Sequence, residues 1–99
     1  MNCKIQDMFD FYKLLNGIPE PKIAVNEAKD IITFFWNYDG YYVDVEINGN
    51  GTIDLFSRES ILWMKVDNVI DNFPITLITK EWIDNNLRNK NDPNKSDTI

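Results

Sequence analysis

The chain has 99 residues, sixteen acidic and ten basic, for a formal charge of −6, with no histidine and a single cysteine. That length accommodates one domain, and the charge disfavours attraction to phosphate backbones and anionic membranes. A lone Cys3 excludes an internal disulfide, and the lack of histidine removes the commonest neutral-pH general base, histidine metal sets and histidine-based triads.

The start of the chain, Met1 to Leu15, carries Asp7 and Asp10 and lacks a basic segment followed by a continuous apolar one, so it does not read as a secretion signal. No stretch approaches the roughly 20 apolar residues that span a bilayer. With one cysteine, a reducing cytoplasm is the simplest expected setting. The first element reads as a helix over Ile5–Asn16. Ile5, Met8, Phe9 and Tyr12 form one stripe, widened by Phe11, Leu14 and Leu15. Gly17 ends it, and Pro19 and Pro21 enforce an extended exit. Ile23–Val25 fits either a short edge strand or a bare extended segment.

Ile31–Tyr38 alternates Ile32, Phe34, Trp36 and Tyr38 with Ile31, Thr33, Phe35 and Asn37. Asp39-Gly40 then supplies a favoured two-residue hairpin turn. That turn sets Tyr38 opposite Tyr41, Trp36 opposite Val43, Phe34 opposite Val45 and Ile32 opposite Ile47. The other face pairs Phe35 with Asp44 and Thr33 with Glu46. Gly49-Asn50-Gly51 is read as a three-residue loop. An even loop would bury Asp54 in line with Val45, at a cost of roughly several kcal/mol, whereas a left-handed glycine costs little. The odd loop sends Asp54 outward beside Glu46.

Ser57–Ser60 reads as a third, four-residue connection, setting Leu62 and Met64 against Leu55 and Ile53, with Trp63 opposite Asp54. Asp67 then caps a short helix using Val69, Ile70 and Phe73, stopped by Pro74. A final helix starts at Thr79 as N-cap, with Glu81 in its first turn and an apolar stripe of Trp82, Ile83 and Leu87. Arg88 and Lys90 suit its carbonyl end. The expected fold class is α+β, a three- to four-stranded antiparallel β-meander with an N-terminal helix and C-terminal helices. It forms a single domain over 1–88, followed by a polar, flexible tail over 89–99.

With histidine absent, catalysis would fall to carboxylate, tyrosine or lysine chemistry. Asp44, Glu46 and Asp54 share a face, but a hydrolase pair needs a concave slot and unequal protonation. Calcium needs more converging oxygens than these strands supply. The sequence therefore predicts no catalytic, metal or cofactor site. The mixed face of Phe35, Tyr42, Asp44, Glu46, Asp54, Phe56 and Trp63 has two readings: core covered by a terminal helix, or a protein-binding patch. Aromatic side chains are favoured anchors, and acids steer basic partners. Direct nucleic-acid binding is disfavoured, since Lys65 is the only basic neighbour expected on those strands.

Pro19 and Pro21, Ile32 and Trp36, Tyr42, Val45-Glu46-Ile47, and Gly49 with Gly51 carry one further signal. On these residues, Gly17–Gly51 resembles a loosely defined set of small bacterial and phage proteins. Some of them accompany toxin–antitoxin or defence loci, which implies a partner-binding or neutralising role. Where that set usually has Gly-Gly before the tryptophan strand, this chain has Ala28-Lys29-Asp30, and no site residue is carried over. The expected function is a noncatalytic protein-binding or inhibitory factor, antitoxin-like or anti-defence, acting through Phe35, Tyr42, Asp44, Glu46, Asp54 and Trp63. Its partner would be a protein with a basic surface, and an exposed edge strand could also pair with its twin as a homodimer. The alternatives are a small carboxylate-dependent hydrolase and a structural or assembly subunit.

Overall fold

Residues 2–89 are described by the structure, a computed structural model, with side chains from Lys4 onward. Helix α1 (Asn2–Tyr12) precedes five strands: β1 (Lys22–Asn26), β2 (Ile31–Tyr38), β3 (Tyr41–Ile47), β4 (Thr52–Ile61) and β5 (Met64–Pro74). A single 3-10 turn (Ile75–Leu77) then leads to helix α2 (Lys80–Asn86). The strands form one antiparallel meander in the order β1-β2-β3-β4-β5. Among the described residues the fold is thus α+β as expected, but with five strands and one C-terminal α-helix. Of the expected tail, all but Asn89 lies outside the described residues.

The central hairpins follow the side-chain pattern. Tyr38 faces Tyr41, Trp36 faces Val43, Phe34 faces Val45 and Ile32 faces Ile47. The three-residue loop holds as well: Ile47 faces Ile53, Val45 faces Leu55 and Glu46 faces Asp54. Gly49 and Gly51 take φ of 93° and 83°, a conformation that carries no side-chain penalty only in glycine. Ile32, Phe34, Trp36, Val43, Val45, Ile53 and Leu55 are buried on the inner face.

Beyond Phe56 the chain departs from expectation. Ser57–Ser60 is not a connection but the continuation of β4, which turns at Leu62-Trp63. Ser57 alternates inward and is buried, while Arg58 points outward and makes two bonds, of 2.6 and 2.8 Å, to Asp67. Asp67 therefore does not cap a helix. Val66, Val69, Ile70 and Phe73 have the branched or aromatic shape that suits a strand, and β5 pairs Val69 with Phe56 and Ile70 with Leu55. Trp63 lies at the hairpin tip rather than opposite Asp54.

The α-helices cover the inner face. Phe11 is fully buried and meets Phe34 edge-on at 5.2 Å, whereas Ile5, Phe9 and Tyr12 of the expected stripe stay 39–53% exposed. Long-range bonds set this roll: Asp7 accepts from the Gly51 amide at 2.7 Å, and Lys4 donates to the Asp30 carbonyl. The helix stops at Tyr12 because the Leu14 amide turns back to the Phe11 carbonyl, tightening the chain ahead of Gly17 (φ 79°). At the other terminus Thr79 accepts from the Trp82 amide, as its N-cap role requires. Ile83 and Leu87 enter the core, and Trp82 stacks on Phe73 at 5.2 Å. The hydroxyls of Tyr38 and Tyr41 donate to the Leu87 and Asn86 carbonyls, fastening the end of α2 to the β2–β3 hairpin.

Candidate protein-binding site

Alternation places one set of side chains on the outer face, opposite both α-helices. Reading across the strands, one row runs Lys22, Phe35, Asp44, Phe56, Val69. A second row runs Asn37, Tyr42, Arg58, Asp67, and a third runs Ala24, Thr33, Glu46, Asp54. Phe35, Tyr42, Asp44, Glu46, Asp54 and Phe56 are all partly exposed. Five of the six expected site residues therefore share this face; Trp63 does not.

The acids differ in their surroundings. Tyr42 donates to Asp44 at 2.9 Å, and its ring leans on Phe56 at 6.4 Å. Desolvation beside these rings pushes the Asp44 carboxyl above its ordinary value, with the Tyr42 bond acting against that rise. The Tyr42 hydroxyl is itself pushed up to about 12, first by burial and then by its bond to Asp44. Asp54 accepts from the Asn48 side chain at 3.0 Å and from the Asn72 amide at 2.8 Å. Those donors offset its like-charged neighbour Glu46, directly across the strand pair. The Asn72 bond sits at the irregularity between Ile53 and Leu55, where Asn72 adopts φ 54°. Asp44 and Asp54 are thus each held by different donors of their own chain.

Arg58, expected in a connection, adds a cation to this face. Its guanidinium lies 5.8 Å from the Phe56 ring centre while it pairs with Asp67. That pair pulls the exposed Asp67 carboxyl below its usual range. Arg58 continues the two-residue period of Asp54 and Phe56, but the polar run Ser57-Arg58-Glu59-Ser60 interrupts the apolar alternation that marks a strand.

At the tip, Leu62 and Trp63 are 84% and 85% exposed, and Leu62 takes φ 57°. The flanking Ile61, Met64 and Val66 are also exposed. The tip projects past the β2–β3 hairpin, since the Ser60 amide already bonds to the Gly40 carbonyl. Among the described residues no group of three or more Cys, Asp or Glu is placed to hold a metal ion. No helix among them is long and apolar enough to cross a membrane. No protein-family model, curated protein or solved structure matches the chain.

Proposed function

We propose that this protein is a noncatalytic binding factor that anchors on a partner protein through the Leu62-Trp63 tip. The carboxylates of its outer sheet face steer that encounter. One observation carries the reading: a leucine sits in the left-handed region at a two-residue turn, with nearly all of its surface in water. That conformation costs a residue with a Cβ about 1–2 kcal/mol, and Asn or Gly would avoid most of it. Burial within the fold does not offset this cost, because neither tip side chain is covered. A partner supplying an apolar cleft would offset it, and tryptophan is among the strongest anchors of such interfaces.

A narrow protrusion entering a cleft is also the geometry by which a small protein blocks another, which favours the inhibitory form of the reading. Asp44 and Glu46 would act at longer range, raising the encounter rate with a basic surface more than the final affinity.

The test is capture of a partner from the native host followed by a binding titration. Trp63→Ala is expected to weaken association by about 30-fold or more, the scale of a hot-spot residue. Asp44→Asn with Glu46→Gln should slow association and flatten its salt dependence. Asp54 stays intact in that variant, because it holds the Asn72 amide. A partner bound equally well by wild type and Trp63→Ala would remove the anchor.

A further inference from the structure

The sheet has two edges, and they are defended unequally. Strand β5 carries Lys65, Asp67 and Asp71 along its length, and Asn72 at φ 54° marks its irregularity near the end. Charges and bulges are the usual means of keeping an edge from pairing. Strand β1 reads Lys-Ile-Ala-Val-Asn, and all five of its residues are exposed. Ile23 and Val25 continue the inner face beside Phe34 and Ile32, yet remain 45% and 55% exposed. Above them α1 leaves Ile5, Phe9 and Tyr12 uncovered, so two hollows of about 430 and 200 Å³ lie between helix and edge, on either side of Met8.

We propose that β1 pairs antiparallel with β1 of a second copy, joining two five-stranded sheets into one. The strand is self-complementary. Centred on Ala24, the pairing sets Ile23 against the twin's Val25 twice, on the face where both hollows open. Lys22 then meets Asn26, Glu27 meets Pro21 and Glu20 meets Ala28, so no charge faces its like. Ala24, on the outer face at the twofold, has no bulk to hold the strands apart. The dimer supplies partners both for an open row of backbone groups and for an apolar patch. Such a two-fold, isologous contact is the commonest form of closed assembly.

Magnitude sets its strength. The five uncovered side chains present about 400 Å² per copy, roughly half of what each partner contributes to a standard stable interface. The dimer is therefore weak and concentration-dependent. Each copy carries −6, so screening strengthens the self-association. Salt should act oppositely on the steering of a basic partner, which keeps this dimer experimentally separate from the tip-anchored complex.

Sedimentation of the full chain across a concentration series, at low and high salt, is the experiment. The wild type should dimerise, more tightly at high salt. Val25→Lys places a charge in the joint at an exposed position and should weaken the dimer at least tenfold. Ala24→Glu, which sets two carboxylates at the twofold, should do the same should the lysine variant fold poorly. Val69→Lys, exposed on the opposite edge strand, should leave the dimer constant unchanged within about twofold. A wild type that stays monomeric at every concentration overturns the proposal. So does a dimer that folded Val25→Lys and Ala24→Glu leave intact, or one that Val69→Lys abolishes.

Discussion

Two hairpins of this sheet turn in two residues, and their turns are chemical opposites. Asp39-Gly40 uses a glycine at φ 85°, and its flanking Tyr38 and Tyr41 stack at 6.2 Å while their hydroxyls hold α2. Leu62-Trp63 puts a branched residue at φ 57° between Ile61 and Met64, both open to water. In the first hairpin, turn preference, side-chain alternation and tertiary contact all agree. In the second, the alternation of burial ends at Ser57, the turn works against the backbone and the tip meets nothing. Agreement across levels marks residues selected for folding, and a local conflict marks residues whose use lies elsewhere.

The contrast is broken or sharpened by a graded set of substitutions. The largest effect belongs to the covered face: Phe34→Ala should cost about 3–5 kcal/mol in denaturant unfolding, since the ring is fully buried against Phe11. Alkaline pH comes next. Burial pushes Tyr38 up to about 12, and Tyr42 reaches a similar value. Between pH 10 and 12 the unfolded chain releases these protons while the folded one keeps them. Stability present below pH 10 is therefore lost as the pH rises through 12. Ultraviolet titration of tyrosinate should show a late-ionising fraction; ordinary midpoints for every tyrosine would contradict the burial of these two.

Exchanging the turn chemistries gives opposite signs. Gly40→Leu should destabilise by about 1–2 kcal/mol, because a Cβ is forced into the left-handed region. Leu62→Gly removes that strain and should raise the unfolding midpoint, by up to about 1 kcal/mol after the entropy of glycine in the unfolded chain is charged against it. A destabilised Leu62→Gly would mean that the tip contributes to the fold, and the two hairpins would then be alike. The smallest effect is Trp63→Ala, within about 0.5 kcal/mol of wild type in the same assay, since the indole is 85% exposed. Loss of binding without loss of stability is the signature expected of an anchor.

How much of this could be read from the chain depended on how local the cause was. The Ile31–Ile47 hairpin was legible because Asp39-Gly40 pins the register and both flanks alternate. The odd loop at Gly49–Gly51 followed from the cost of burying Asp54. The β4–β5 hairpin was obscured by polar residues that imitate a connection, Ser57-Arg58-Glu59-Ser60, and by Asp67, whose carboxylate pairs with Arg58 instead of capping a helix. Nothing in Leu62-Trp63 announces a turn. The irregularity near Asn72 then disrupts the parity that would have betrayed the fifth strand. The roll of α1 was out of reach for a different reason. Its buried face is set by Asp7 reaching Gly51 and Lys4 reaching Asp30, contacts between segments 26 or more residues apart. Of the site, the outward phase of Asp44, Glu46 and Asp54 was legible, while the position of Trp63 moved with the turn.

The three tryptophans occupy separate worlds: Trp36 is enclosed with its indole nitrogen donating to Pro19, Trp82 is stacked on Phe73, and Trp63 stands in solvent. A collisional quencher such as iodide should therefore extinguish mainly one emitter. The molecule carries its own optical reporter at the hairpin apex, so occupancy there can be followed by fluorescence without attaching a dye.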